Sequence, residues 1–143
     1  MDPLYSAMAT AEGGRNGRVS TSDGSVDVQL TMPKGLGGPE TPGTTNPEQL
    51  FASGYAACFH GALLAMARNE KVDVSGSSVT AVVGIGKTDD GGLGLAVELE
   101  VNVPGVDQET AQRLAEKAHG FCPYSKATRG NIDVALDVTT LAG

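Results

Sequence analysis

The chain has no tryptophan, only six aromatic residues and only two cysteines among its 143 residues. Two cysteines cannot staple a small secreted scaffold. Basic residues are also scarce: ten Lys+Arg against 17 Asp+Glu leave a formal charge of −7. They are scattered from Arg15 to Arg129 without a run, which excludes the basic footprint that nucleic acid or an anionic membrane surface requires. Met1-Asp2-Pro3-Leu4-Tyr5 lacks the basic and apolar regions of a secretory signal. The expected location is therefore cytoplasmic, where thiols stay reduced. With 40% hydrophobic and 19% charged residues, the composition is that of a folded chain. Its length suits one domain over residues 1–143.

What is present alternates in short, punctuated segments. Leu4 to Thr10 reads as an edge strand. Residues 18–32 read as a hairpin around Asp23-Gly24, with Val26 to Met32 alternating apolar and polar. Pro33 to Thr45 is a glycine- and proline-rich loop, long for so small a domain. Asn46-Pro47-Glu48 then opens a helix: Asn caps, Pro fits the first helical position, and Glu suits the positive end of the helix dipole. No charged residue occurs from Gln49 to Ala67. A membrane span is the competing reading, but Ser53, Gly54, His60 and Gly61 make the segment small and only mildly apolar. A helix apolar on all sides belongs in a core or an interface.

Val79 to Lys87 and Leu95 to Val103 read as strands joined through Asp89-Asp90-Gly91-Gly92. Asp107 caps a second helix running to about His119, Cys122-Pro123 opens a short turn, and Ile132 to Thr139 alternates as a last strand. Hairpins dominate, so the expected class is α+β with mostly antiparallel sheets and two main helices.

The chemistry centres on the thiols. Phe51, Tyr55 and Phe59 share a helix with Cys58, and Phe121 and Tyr124 flank Cys122. The bland alternative is that both cysteines simply pack in the core. A cation turns such a thiol into a nucleophile, since a nearby Arg lowers a cysteine pKa from about 8.5. Arg15, in Gly13-Gly14-Arg15-Asn16-Gly17-Arg18, is the candidate, and Glu48 at the helix start is the carboxylate that could aim its fork. A thiolate in an apolar, aromatic-lined pocket suits attack on a weak O–O bond, leaving a sulfenic acid that a second thiol, Cys122, can capture. The candidate pocket residues are Phe51, Tyr55, Phe59 and Tyr124. A second alternative is zinc held by Cys58, His60, His119 and Cys122, although residues two apart on a helix face opposite sides.

These residues also carry a family resemblance. Asn46-Pro47-Glu48-Gln49-Leu50-Phe51-Ala52-x-Gly54-Tyr55-x-Ala57-Cys58-Phe59 resembles the first-cysteine helix of the organic hydroperoxide resistance proteins, within the osmotically induced protein C (OsmC-like) superfamily. Cys122-Pro123-Tyr124-Ser125-Lys126-Ala127-Thr128-Arg129-Gly130-Asn131-Ile132 resembles their second-cysteine segment, and the similarity spans essentially the whole chain. The resemblance implies a thiol peroxidase that reduces bulky organic hydroperoxides to alcohols. It implies Cys58 as the peroxidatic thiol and Cys122 as the resolving thiol, joined in an intramolecular disulfide, with Arg15 and Glu48 as the activating pair. It further implies an intertwined homodimer, recycling by dihydrolipoyl groups on lipoylated proteins, and no haem, flavin or metal cofactor. Gly35, Glu40-Thr41-Pro42 and Ser53 depart from the usual pattern without touching those four positions. Another branch of the superfamily, with a broader peroxide range, and a binding domain without turnover are the rival functions.

Overall fold

In the computed structural model, which describes residues 1–142, six strands and three α-helices follow one another. They are β1 (Ala9–Glu12), β2 (Arg18–Thr21), β3 (Asp27–Gln29), α1 (Pro47–Glu70), β4 (Ser78–Lys87), β5 (Leu93–Asn102), α2 (Gln108–Phe121), α3 (Pro123–Thr128) and β6 (Val134–Thr139). The chain divides into two compact units, Met1–Leu50 and the residues from Phe51 onward.

In the first unit β1, β2 and β3 form an antiparallel meander. The expected edge strand starts late, at Ala9, because its partner runs out there: Ala9 pairs with Thr21, the last residue of β2. The β1–β2 connection is a tight glycine-built turn around a short 3₁₀ segment, Gly14–Asn16. Gly13 and Gly14 take φ of 80° and 58°, and a Cβ at Gly17 would drive into the Glu12 carbonyl oxygen. Only glycine tolerates both demands, so this turn presents Arg15 in one defined place. At the β2–β3 turn the Asp23 carboxyl is held at about 2, first by the Ser25 backbone N–H. The loop from Pro33 to Thr45 is tied down: Thr31 and Thr44 hydroxyls meet at 2.6 Å, and Thr41 N–H donates to Thr31 Oγ1 at 3.0 Å.

The start of α1 follows its sequence signals. Asn46 Oδ1 accepts from the Gln49 N–H at 2.8 Å, satisfying one of the orphan donors of the first turn. At the other end Lys71 takes φ of 58°, while Val72 N–H reaches the Ala67 carbonyl at 2.9 Å and Lys71 N–H reaches that of Arg68. This Schellman closure stops the helix without glycine. Length and composition alone would let α1 cross a membrane. Instead Tyr55, Phe59, Ala62, Leu63 and Ala67 form a buried stripe at helical spacing, so the helix is not apolar-packed on all sides. Ser53, Ala57 and Gly61 lie exposed on another face.

In the second unit β4 pairs antiparallel with β5, from Ser78↔Asn102 to Lys87↔Leu93. β6 lies parallel to β5, from Val97↔Val134 to Asn102↔Thr139. One parallel pairing is the physical consequence of the α2–α3 crossover between those strands; the other strand pairings are antiparallel. Val97, Leu99, Val101 and Val103 from β5 pack with Leu114, Ala115 and Ala118 from α2 and with the α1 stripe. Asp107 caps α2 by accepting from Thr110 N–H at 3.0 Å. Glu70, at the end of α1, accepts from Arg113 at 2.8 Å and Lys117 at 2.6 Å, fixing α1 on α2. The segment expected as a turn after Cys122 is the helix α3, with Pro123 in its first turn.

Candidate redox site

The two sulfurs meet in the second unit. Cys122 Sγ–H donates to Cys58 Sγ at 3.4 Å, both thiols being free. Cys58, on α1, is half-buried, whereas Cys122 has no exposed surface. Cys122 closes α2, its N–H bonding to the Ala118 carbonyl at 2.8 Å, and also caps α3. Pro123 cannot continue the first helix but is preorganised to start the next. That local rule puts a sulfur at a helix–helix joint.

Burial pushes the Cys58 thiol above its ordinary pKa. Opposing it, the Tyr124 backbone N–H donates to the Cys58 sulfur and favours the thiolate. Burial thus favours the thiol form of Cys58, whereas nucleophilic chemistry needs the thiolate.

Around the thiols lies an aromatic triangle. Phe51 and Tyr55 meet edge-on at 5.9 Å between centroids and 78° between planes. Tyr124 sits 5.8 Å from Tyr55 and 6.4 Å from Phe51. Gly54 makes this possible, for a Cβ there would approach the Tyr124 hydroxyl to 3.0 Å and its ring to 3.2 Å. Phe51 and Tyr124 line a cavity of about 390 Å³ with Ala127, Thr128 and Ile132. Tyr55 and Phe59 have no exposed surface: the Tyr55 hydroxyl bonds to Ser125 and Thr128, and the Phe59 ring packs near His119, centroids 6.4 Å apart.

In the first unit Arg15 grips Glu48 end-on, Nη1 to Oε2 at 2.8 Å and Nη2 to Oε1 at 2.6 Å. The pair raises the arginine pKa and lowers that of Glu48, so both charges are locked in. Glu48 opens α1, the helix that carries Cys58. Arg18 instead pairs with Asp27 across the β2–β3 ladder.

The four zinc-donor candidates do not gather. His60 Nε2 contacts Ser77 Oγ at 3.0 Å and His119 Nδ1 contacts Ser125 Oγ at 2.8 Å. Among the described residues no group of three or more His, Cys, Asp or Glu could hold a metal. Burial first and the Arg129 charge second push the His119 pKa below its ordinary value. Sequence reasoning missed the hydroxyl set Ser125, Thr128 and Tyr55. The available signal was the three-residue spacing His119-x-x-Cys122-x-x-Ser125-x-x-Thr128.

Comparison with known proteins agrees with this architecture. Residues 38–137 match the OsmC-like protein family model. The chain is 54% identical over 134 residues to an organic hydroperoxide resistance protein of Xanthomonas axonopodis pv. citri, covering 93% of each. It is 46% identical to the organic hydroperoxide resistance protein OhrB of Bacillus subtilis, covering 94% of this chain and 98% of that one. A crystal structure of an organic hydroperoxide resistance protein from Elizabethkingia anophelis superposes with a TM-score of 0.92 at 51% identity, covering 99% and 100% of the two chains. With the family match running over most of its length, and whole-chain relatives above half identity, this chain belongs to the OsmC-like protein family.

Proposed function

We propose that this protein is a thiol peroxidase that reduces organic hydroperoxides to alcohols. The observation that carries this reading is the pair of free sulfurs 3.4 Å apart, with Tyr124, two residues after Cys122, in the wall of an apolar cavity. The Cys58 thiolate attacks the outer peroxide oxygen. The O–O bond breaks, the alkoxide takes a proton and leaves as alcohol, and a sulfenic acid remains. The Cys122 thiol then displaces the hydroxyl, which leaves as water with the thiol proton, and a disulfide forms. A dithiol such as a dihydrolipoyl group reduces it. The cavity wall of Phe51, Tyr124 and Ile132 favours a bulky apolar substituent on the peroxide.

Arg15 supplies the permanent charge that offsets the cost of ionising a half-buried sulfur, and Glu48 aims it. The family match runs across the boundary between the two compact units, which supports their acting as one domain. The exposed small residues Ser53, Ala57 and Gly61 leave room for close helix packing in a homodimer. The enzyme works in the cytoplasm, the compartment whose reducing poise would regenerate its dithiol.

The test is single-turnover oxidation by cumene hydroperoxide. Cys58→Ser abolishes turnover. Cys122→Ser permits one oxidation and then stalls, and peptide mapping of the wild type after one equivalent finds residues 58 and 122 linked. Full activity in Cys58→Ser would overturn the assignment.

A further inference from the structure

Four side chains from three helices form an unbroken hydrogen-bonded chain beside the thiols, and its protons can be assigned. Thr128 Oγ1–H donates to the Ser125 carbonyl at 3.1 Å. Its one hydroxyl proton is thereby used, so at 3.2 Å it accepts from the Tyr55 hydroxyl. The Tyr55 oxygen must then accept from Ser125 Oγ–H at 2.9 Å. Ser125 Oγ in turn accepts from His119 Nδ1–H at 2.8 Å. This order fixes the neutral tautomer of His119, the form that burial and Arg129 already favour. Nδ1 carries a proton in the imidazolium as well, so the chain survives titration of the ring.

Burying three hydroxyls is costly unless each is paired, and here each is. The chain also has a definite relation to the sulfurs. Tyr55 lies three residues before Cys58 on α1, and Ser125 three residues after Cys122 on α3. The Tyr55–Ser125 bond and the Cys58–Cys122 contact are therefore neighbouring rungs between α1 and the α2–α3 joint. His119 closes the joint from α2, and Arg129 Nη2 closes it again by donating to the His119 carbonyl at 2.7 Å.

The geometry points to Ser125, braced by Tyr55 and His119, as a positioning residue that holds the Cys122 sulfur and the Tyr124 N–H against Cys58, so that disulfide closure needs no displacement of α3. The inference rests on reading Cys58 and Cys122 as the redox pair. The step it governs is closure: the S–S bond forms, the S–O bond of the sulfenic acid breaks, and water leaves with the Cys122 proton. The competing step is attack by a second hydroperoxide, which gives sulfinic acid and another alcohol.

The experiment measures the ratio of sulfinic acid to disulfide by mass spectrometry after a pulse of excess cumene hydroperoxide on the reduced protein. Loss of positioning costs on the order of tenfold in closure relative to oxidation, so Ser125→Ala and Tyr55→Phe raise the ratio by about that factor. Tyr55→Phe keeps the ring, which guards against a folding failure of the serine variant. A purely structural role would lower thermal stability without moving the ratio. Folded Ser125→Ala and Tyr55→Phe proteins with the wild-type ratio would overturn the inference. A parallel closure assay with diamide, which joins dithiols without peroxide, separates the two ideas. Should wild-type Cys58 ignore hydroperoxide, the peroxidase reading fails, and the brace then stands on slower diamide closure in both variants or falls on equal closure.

Discussion

Arg15 and Arg18 stand three residues apart, and each grips a carboxylate with two nitrogens, yet their surroundings differ. Arg15 meets Glu48 end-on across 33 residues of chain, with side-chain exposures of 31% and 13%. Arg18 meets Asp27 through Nε at 2.7 Å and Nη2 at 2.5 Å, with exposures of 54% and 45%. Water screens the second pair and its two long side chains gain little by holding still. The first pair sits on a glycine-built turn and joins it to the opening of α1. The lesson is that a guanidinium–carboxylate fork identifies neither a structural nor a chemical role. What separates the two is shelter and the element at the far end.

The sharpest break of this comparison is removal of the two guanidiniums in turn. Arg15→Ala is expected to slow Cys58 oxidation by cumene hydroperoxide about a hundredfold, the usual scale for losing a preorganised charge. Arg15→Lys should recover little, because an ammonium cannot grip both oxygens of Glu48. Stopped-flow kinetics would show this directly. An Arg15→Ala rate within about twofold of wild type would remove the arginine from the mechanism and leave the Tyr124 N–H as the thiolate's support.

Glu48→Gln should act through the same fork but more weakly, about tenfold in the oxidation rate, since the amide keeps one acceptor for the guanidinium. It also tests the acid behaviour of the pair. Arg15 holds the Glu48 carboxyl below its ordinary range, with burial opposing. Between the two pKa values the unfolded chain binds more protons than the folded one. The stabilisation is therefore complete above the unfolded carboxyl value of about 4.3 and fades as pH falls through the lower folded value. Urea titrations at descending pH should show a smaller acid loss in Glu48→Gln than in wild type. An unchanged acid loss would show that the pair contributes nothing to folding.

How much of this could be read in advance follows from which signals are local. The Asn46 cap, the Asp107 cap and the alternation of β5 are local, and each element starts or packs as its residues require. The α+β class follows from them. Helix α3 is only six residues long, too short for a period to show, and the sequence Cys122-Pro123 reads as a stop although proline equally begins a helix. The parallel pairing of β6 depends on a crossover and not on any residue within the strand. At the site, the Arg15–Glu48 contact was legible as a chemical need and through the family resemblance, not from local pattern, because nothing within 33 residues encodes it. Tyr55, Ser125 and Thr128 were harder still. Each looks ordinary alone, and their hydroxyls meet only after α1 and α3 have packed.

The smallest expected effect is the control on the other side of the comparison. Arg18→Ala should leave Cys58 oxidation within about twofold and barely move the urea midpoint, because an exposed pair gains little over its solvated parts. The Asp27 carboxyl is nonetheless held low, first by its hydrogen bond from Arg18. That shift concerns a group bathed in water, where ions compete for the same oxygens. Raising salt from about 0.15 M to 1 M shortens the screening length from about 8 Å to 3 Å. Whatever the Arg18–Asp27 fork contributes should then vanish, so Arg18→Ala and wild type should converge in urea midpoint at high salt. Wild type and Arg15→Ala should stay apart in oxidation rate under the same conditions, since a sheltered fork is screened much less. Convergence of the Arg15 pair, or an Arg18→Ala defect as large as that of Arg15→Ala, would mean that shelter is not what separates the two arginines.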